Sequence, residues 1–563
     1  MLDPTLLMNM REGVKMLIQH INNNDRAFII VDSDCDGYCS SAIFLNYLNR
    51  HFPHWVQNQV EYFMHGGKQH GLGDINIEDL IQRGFRLVIC PDSASNDYEQ
   101  HQALKEHGID VLVLDHHEAE KISEYACIIN NQLCDYPTKS LCGGAVVYKF
   151  CCYIDKLMGT NYAIDYEDLT ALALIGDMMD MKDFETHYLT KDGLQRIRNP
   201  FFQEMVNRQS YKLDNNMTPF GIAFYVVPYI NAMTRSGTLE EKYLIFEAML
   251  EWRADEMIPS TKRGFKGTFE KRVEQAGRTC FNVKSRQKKN QDASLENIEN
   301  IIAELGLLEN KILVVPTEQE EVDKNLAGLI ANQLASKYAR PTLVLRRIEA
   351  SNKIIEVDEN YKPIDMIDNG TTIIYEGSGR NYGKSRLENF RQFCNDTGLV
   401  MYAEGHASAF GIGIREENLE TFINKTNELL KDFDTTPCYF VDLEVTADQL
   451  NDNEVFAIGS NSDIWGQGLE EPLIAITNIR LTADDIHYMG EKKNTLKLTF
   501  PGRRTSMLKF NIKDEEKEIL NPGEGTITIT AIGKCSLNHY MGNVTPQVML
   551  EDFEITKQTK WDF

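Results

Sequence analysis

The segment Leu112-Val-Leu-Asp115-His116-His117-Glu118 ends a short apolar run in one carboxylate followed directly by two imidazoles. Carboxylate and imidazole together suit transition-metal ions, and an apolar run bounded by polar groups reads as a buried parallel strand whose carboxyl end opens on a ligand crevice. Alone, the segment equally describes a strand end carrying two structural histidines. Ala27-Phe-Ile-Ile-Val31 reads as a second buried strand, and it runs into Asp32-Ser-Asp34-Cys-Asp36-Gly37 before a helical stretch. Three carboxylates at alternate positions on a strand-to-helix turn raise electrostatic energy unless cations neutralise them, so the pattern points to divalent metals. An EF-hand loop is excluded because Ile43 stands where that loop needs its last glutamate.

Two further elements repeat the theme. The strand Arg86-Leu-Val-Ile-Cys90 ends in Pro91-Asp92-Ser93, and a helical stretch from Asp168 to Ile175 leads to Gly176-Asp177-Met-Met-Asp180. Either of the last two acids can complete the set. The pooled residues Asp32, Asp34, Asp36, Asp92, Asp115, His116 and His117, with one of those acids, suffice for two metal sites. Their mixed chemistry favours Mn²⁺ over Ca²⁺, with Mg²⁺ as a substitute. Asp92 is expected to bridge two ions, while Asp115 and His117 orient His116 and contact the scissile phosphate. Two ions roughly 3.5 to 4 Å apart stabilise the attacking and leaving oxygens of an in-line displacement. The metal residues by themselves imply only phosphoester hydrolysis.

At 563 residues the chain exceeds a single core and is expected to form three or four domains. Its apolar fraction of 42% and charged fraction of 25% are ordinary for a globular protein. No apolar run reaches bilayer length and the start lacks a signal-peptide layout, so a cytoplasmic location is expected. The twelve cysteines include no CxxC pair and read as reduced core residues rather than structural zinc ligands. A net charge of −26 argues against a generic polyanion binder, although it permits a local groove. Ten Lys or Arg between Lys262 and Lys289 face only Glu270 and Glu274, which fits either a solvated helix face or a nucleic-acid-facing helix.

With four acid-bearing elements in this order, the sequence resembles the DHH phosphoesterase superfamily, and further motifs resemble its RecJ-like single-strand exonucleases. Asn130-Asn-Gln-Leu-Cys-Asp-Tyr-Pro137 and Leu141-Cys-Gly-Gly-Ala-Val-Val-Tyr-Lys149 look like that family's asparagine-and-proline turn and glycine-opened helix. Pro228-Tyr-Ile-Asn-Ala-Met-Thr-Arg235 resembles its PxINAxGR segment. Gly328 to Pro341, Gly377-Ser-Gly-Arg380 and Glu404-Gly-His406-Ala-Ser-Ala-Phe-Gly411 look like its companion DHHA1 domain, and Trp465 to Pro472 resembles the approach to its C-terminal OB-fold. Two departures stand out. Glu404 replaces the first glycine of GGH, and the loop His65-Gly-Gly-Lys68 carries a lysine near the place of the family's phosphate-holding arginine.

The resemblance implies an α/β fold in which a DHH domain with a mostly parallel sheet is flanked by helices. A helical linker, a smaller α/β DHHA1 domain and a C-terminal OB-fold β-barrel follow. The expected boundaries are 1–205, 206–300, 301–435 and 436–563. For the last part, five short strands are expected, including Thr526–Thr530 and Val548–Leu550. The resemblance places the last metal ligand at Asp180. It also assigns Lys68, Arg235, Arg286, Ser378, Arg380 and His406 to substrate, with the arginines and Ser378 suited to a 5′ phosphate. The implied activity is metal-dependent 5′-to-3′ hydrolysis of single-stranded DNA to mononucleotides, in DNA repair and recombination. Single-stranded DNA is then the partner of a monomer, with single-strand-binding protein or a helicase as further partners. A phosphodiesterase for short oligoribonucleotides or cyclic dinucleotides needs neither the linker nor the OB-fold, and a silent scaffold needs no metal residues.

Overall fold

A computed structural model describes the chain except residues 68, 120, 214–216, 358–362, 435, 437, 501, 541 and 560–563, and except the side chains of 350–357, 363–370, 540 and 559. It divides into two compact units, Met1–Lys284 with Phe440–Phe563, and Ser285–Tyr439.

The first unit is built on five parallel strands, β1 (Arg26–Val31), β2 (Val60–Met64), β3 (Phe85–Pro91), β4 (Asp110–Asp115) and β5 (Cys127–Asn130), in the order β2-β1-β3-β4-β5. Both faces are buried, and the two-residue period of a strand divides its side chains between two cores. Ala27, Ile29, Leu87, Ile89, Leu112 and Leu114 enter one. Phe28, Ile30, Val88, Cys90, Val111 and Val113 enter the other. This is why these runs read as continuously apolar. Strand order reverses direction at β1, so the carboxyl ends of β1 and β3 diverge into a crevice, the usual ligand position in an open α/β sheet.

The C-terminal part of this unit is a mixed seven-stranded sheet. Its order is Leu443–Thr446, Leu473–Leu481, Thr526–Tyr540, Asn543–Thr559, Ser506–Phe510, Thr495–Thr499 and Ile486–Met489. This mixed sheet is the part expected as an OB-fold, and among the described residues no pairing joins its two edge strands. The two short strands expected at Thr526 and Val548 are pieces of a long hairpin. Register shifts at Thr528/Ile529 and Ile532/Gly533 break its alternation, which is why the sequence pattern stops short.

The second unit holds a five-stranded sheet of order Tyr402–His406, Ala409–Arg415, Pro363–Arg380, Thr342–Val357 and Leu313–Glu318, with the helix Ala327–Tyr338 packed on it. The helix Arg272–Glu304 carries much of the basic run, yet Arg272 pairs with Glu247 and Glu256, and Arg278 with Glu270. Part of that charge is therefore structural. No helix among the described residues is long and apolar enough to cross a membrane, and all twelve cysteines are free thiols.

Candidate metal centre

The turn after β1 puts its three carboxylates in three settings. Asp34 caps the helix Cys35–His51 by accepting from Gly37 N at 3.1 Å. Asp32 Oδ2 lies 2.6 Å from His70 Nδ1, leaving Oδ1 buried without a partner. Asp36 accepts from Gly143 N at 2.7 Å and Gly144 N at 2.8 Å, at the start of the helix Gly143–Met158, and from Ser40 Oγ at 3.1 Å. A helix N-terminus is favourable for an anion, so the Asp36 carboxylate is fixed by dipole and hydrogen bonds together. Two glycines make this packing possible. A Cβ on Gly37 would stand 2.5 Å from Asp32 Cβ, and one on Gly143 only 2.7 Å from Asp92 Cα.

Asp92 follows β3 with φ 66°, a conformation uncommon for a residue with a side chain. Its N–H donates to Leu114 O at 2.8 Å, which holds the turn, and its Oδ1 is buried without a partner. Asp115 differs. Its Oδ1 accepts from His116 N at 2.7 Å and from His117 Nδ1 at 2.7 Å, and its Oδ2 accepts from Ser95 N at 3.1 Å. Burial alone would raise its pKa, but the His117 hydrogen bond and charge hold it well below the usual range. The same bond pushes His117 up to about 9. Asn130 braces this pair by donating to His117 O at 2.8 Å and to Ser95 Oγ at 2.9 Å.

His116 faces the acids. Its Nε2 lies 3.2 Å from Asp92 Oδ1, 3.4 Å from Asp177 Oδ2 and 3.8 Å from Asp36 Oδ2. Burial lowers its pKa, which favours the neutral imidazole that binds metals. Burial and the Asp36 charge raise Asp92 well above the carboxylate range and bring Asp177 up to about 8.

The residues fit a metal. Asp32 Oδ1, Asp92 Oδ1, His116 Nε2 and Asp177 Oδ2 are all buried without a hydrogen-bond partner, whereas buried polar groups normally have one. Potential ligand atoms gather within 4.8 Å of one another in three groups: Asp92, Asp115, His116 and His117; Asp36, His116 and Asp177; and Asp32, Asp34 and Asp92. Such groups can hold a metal ion, and their mutual repulsion is what a cation would relieve.

The structure places Asp180 apart from these three groups. Asp180 is exposed, its Oδ1 accepts from Lys182 N at 2.9 Å, and it packs against Gly468 rather than joining any of the three groups. Asp177 immediately follows the helix Glu167–Gly176 and points back to His116. Met178 then takes φ 56°, turning the chain away before Asp180.

The expected substrate residues are divided between the two units. Lys68 lies outside the described residues. Arg235 sits in the last turn of the helix Val227–Ser236 with its Nε unpartnered. In the second unit, Ser378 and Arg380 lie together against Gly328, beside the first turn of the helix Ala327–Tyr338, and Arg380 Nη1 donates to Gly379 O at 2.7 Å. Arg286 is exposed on its helix, and His406 is exposed at the end of Tyr402–His406.

Two contributors escape sequence reasoning. His70 meets Asp32, although the loop Gly67-Lys-Gln-His70-Gly71 gave no reason to choose it. Lys242 is fully buried, and its ammonium donates to the carbonyls of His65, Gly66 and Gly67 at 3.0, 3.1 and 3.3 Å, fastening the start of that loop. In Glu240-Glu-Lys-Tyr-Leu it resembles any surface lysine.

Residues 26–176 match the model of the DHH family, N-terminal domain, and residues 441–552 match that of the RecJ OB domain. A 2-1-3-4-5 parallel sheet bearing this acid and imidazole cluster at its crevice thus defines a DHH-type phosphoesterase domain. The SPbeta prophage-derived protein YorK of Bacillus subtilis (strain 168), named provisionally as a single-strand DNA-specific exonuclease, is 34% identical over 563 residues, covering 99% of this chain and 92% of YorK. The single-stranded-DNA-specific exonuclease RecJ of Bacillus subtilis (strain 168) is 23% identical, covering 100% of this chain and 65% of that protein. The chain belongs to the RecJ-like family of single-strand-DNA-specific exonucleases. Its fold is similar to that of RecJ from Thermus thermophilus in complex with Mn²⁺, with a TM-score of 0.69 and 17% identity over 98% of this chain and 73% of the other.

Proposed function

We propose that this protein is a metal-dependent exonuclease that hydrolyses single-stranded DNA from its 5′ end to mononucleotides. The observation that carries the reading is the convergence at the β1/β3 crevice of ligand atoms from Asp32, Asp92, His116 and Asp177, each buried without a hydrogen bond. In this reading those residues, with Asp34 and Asp36, hold two ions, Mn²⁺ or with lower activity Mg²⁺, and Asp177 replaces Asp180 as the last ligand. Bound divalent ions supply Lewis acidity and charge for an in-line displacement at phosphorus. Asp115 positions His117 through Nδ1, and the exposed imidazole contacts the scissile phosphate. The cluster is held rigid by the Asp36 and Asn130 hydrogen bonds, so little reorganisation accompanies reaction.

Choice of strand and end rests on the other parts. Arg235 of the first unit, and Ser378 with Arg380 of the second, are each assigned to phosphate binding, with Lys68, Arg286 and His406 as further backbone contacts. The names of the relatives and the OB domain match support a single-stranded DNA substrate. Work in repair or recombination as a cytoplasmic monomer, beside single-strand-binding protein or a helicase, completes the reading, as do parts bounded at 205, 300 and 435. The test is nucleotide release from strands labelled at the 5′ or 3′ end. Mn²⁺-dependent release of the 5′ nucleotide is expected, falling at least 1,000-fold in Asp92→Asn. Unchanged release by Asp92→Asn, or release from the 3′ end first, refutes the reading.

A further inference from the structure

One cavity in the first unit is left over by the metal chemistry. It measures about 410 Å³, and Met178 on its wall directly follows the cluster residue Asp177 in the chain. Its other walls come from the helix Pro219–Tyr225 and from the segment 462–471 of the C-terminal part, with Lys534 at one side. Mostly apolar side chains line it, yet it carries polar groups of a particular kind. Phe220 and Phe224 stack on each other at 4.3 Å between centroids and 29° between planes, while remaining 52% and 59% exposed. Two large aromatic rings left in water on one short helix are costly unless something covers them. Trp465 lines the same cavity, and its indole N–H is buried without an acceptor among the described residues.

We propose that this cavity receives an unpaired nucleobase of the strand whose backbone lies at the metal centre. This inference rests on the exonuclease reading given above. A base supplies what the walls lack: a flat π-face for the phenylalanines, a ring nitrogen or carbonyl to accept from Trp465 Nε1, and little charge. The wall charges favour a base over a phosphate, since Glu470 and Glu471 would repel an anion while accepting from exocyclic amino groups. Lys534 stands where it can meet the backbone beside the base. A paired duplex cannot present a free base, so the cavity would contribute to single-strand selectivity without reading the sequence closely.

The test is a cycle between protein and substrate, measured by equilibrium binding of the full chain to 5′-phosphorylated 12-nucleotide strands in chelator, with single abasic sites placed in turn at the first six positions. Wild type is expected to lose about 5- to 100-fold in affinity at one or two adjacent positions, the range for loss of one stacked base. In the Phe220→Ala/Phe224→Ala double variant the same base removal is expected to cost less than twofold, because the stacking partner is already gone. Trp465→Phe, which keeps the ring and removes the donor, is expected to reduce the abasic penalty only partly. An abasic penalty that is the same in wild type and double variant overturns the proposal. So does unaltered strand binding together with conversion of a concentration-dependent dimer to monomer, which would make the rings a contact between copies. If wild type releases no nucleotide from any strand with Mn²⁺, the exonuclease reading itself fails, a result distinct from either of these.

Discussion

Replacing Gly143 by alanine tests whether the helix that opens at this residue sets the acid cluster. The added Cβ would stand 2.4 Å from Asp92 Oδ1, 2.5 Å from its Cβ and 2.7 Å from its Cα. Comfortable carbon contacts begin near 3.5 Å, so the shortfall is about 1 Å, and rotation of the Asp92 side chain cannot relieve its Cα and Cβ. Either the β3 turn moves or the helix start withdraws. Withdrawal stretches the Gly143 and Gly144 hydrogen bonds to Asp36, now 2.7 and 2.8 Å. Overpacking costs about 1 to 3 kcal/mol and weakening charged hydrogen bonds about as much again, against a gain of at most about 1 kcal/mol from better helix propensity. The net loss is therefore about 3 kcal/mol, or a fall in Tm of about 3 to 4 °C for a unit of this size. Melting in chelator measures this, and Mn²⁺ titration by calorimetry should show affinity reduced at least tenfold because Asp92 and Asp36 are displaced together. Gly73→Ala serves as control, since nothing lies within 4 Å of its added Cβ. A Gly143→Ala protein that melts and binds Mn²⁺ like Gly73→Ala would refute the argument that the two-glycine opening sets this cluster.

The assignment between the two acids after the helix Glu167–Gly176 has a direct readout. Asp177→Asn is expected to weaken Mn²⁺ binding by at least 10-fold and Asp180→Asn by less than twofold, and the opposite ranking would restore Asp180 as the ligand. Away from the cluster, His20 Nδ1 lies 2.9 Å from Asp25 Oδ2 and its Nε2 3.2 Å from Asp110 Oδ2. Burial disfavours its charge, but the two carboxylates outweigh burial and its pKa is raised above 6.5. A raised base stabilises the fold below its unfolded pKa, and the contribution disappears as pH rises through the folded value. His20→Gln is thus expected to cost about 1 kcal/mol more at pH 6 than at pH 9 in chelator, read from urea unfolding at both pH values. Equal losses at the two pH values would show that the pair carries no charge-dependent stability.

Much of the catalytic half was legible because its signals are local. The apolar runs of β1, β3 and β4 specify strands buried on both faces, and Asp32, Asp92 and Asp115 stand at their ends as the chain order dictates. Sequence spacing alone was enough to place them at one sheet edge, since parallel strands all end on the same side. Where the signal was not local, the sequence alone did not decide. Asp177 and Asp180 are three residues apart after one helix, and a single left-handed residue, Met178, decides which of them faces His116. The long C-terminal hairpin keeps pairing through bulges that interrupt the alternation from which strands are recognised.

The sequence by itself therefore determined the strands, the order of the acid-bearing turns and the metal-binding character of the cluster, because each depends on neighbours a few residues away. Only the tertiary structure decided how the carboxylates divide their work. Asp115 is held by His116, His117 and Ser95 donors, whereas Asp92 is left with an open oxygen. The difference arises from which backbone amides and ring nitrogens the fold brings within hydrogen-bond reach, and residue type is silent about that. The same holds for Lys242 beneath the His65 loop and for the cavity that joins Met178, Phe220 and Trp465. Their partners are separated by up to several hundred residues, and contact across such distances is created by packing alone.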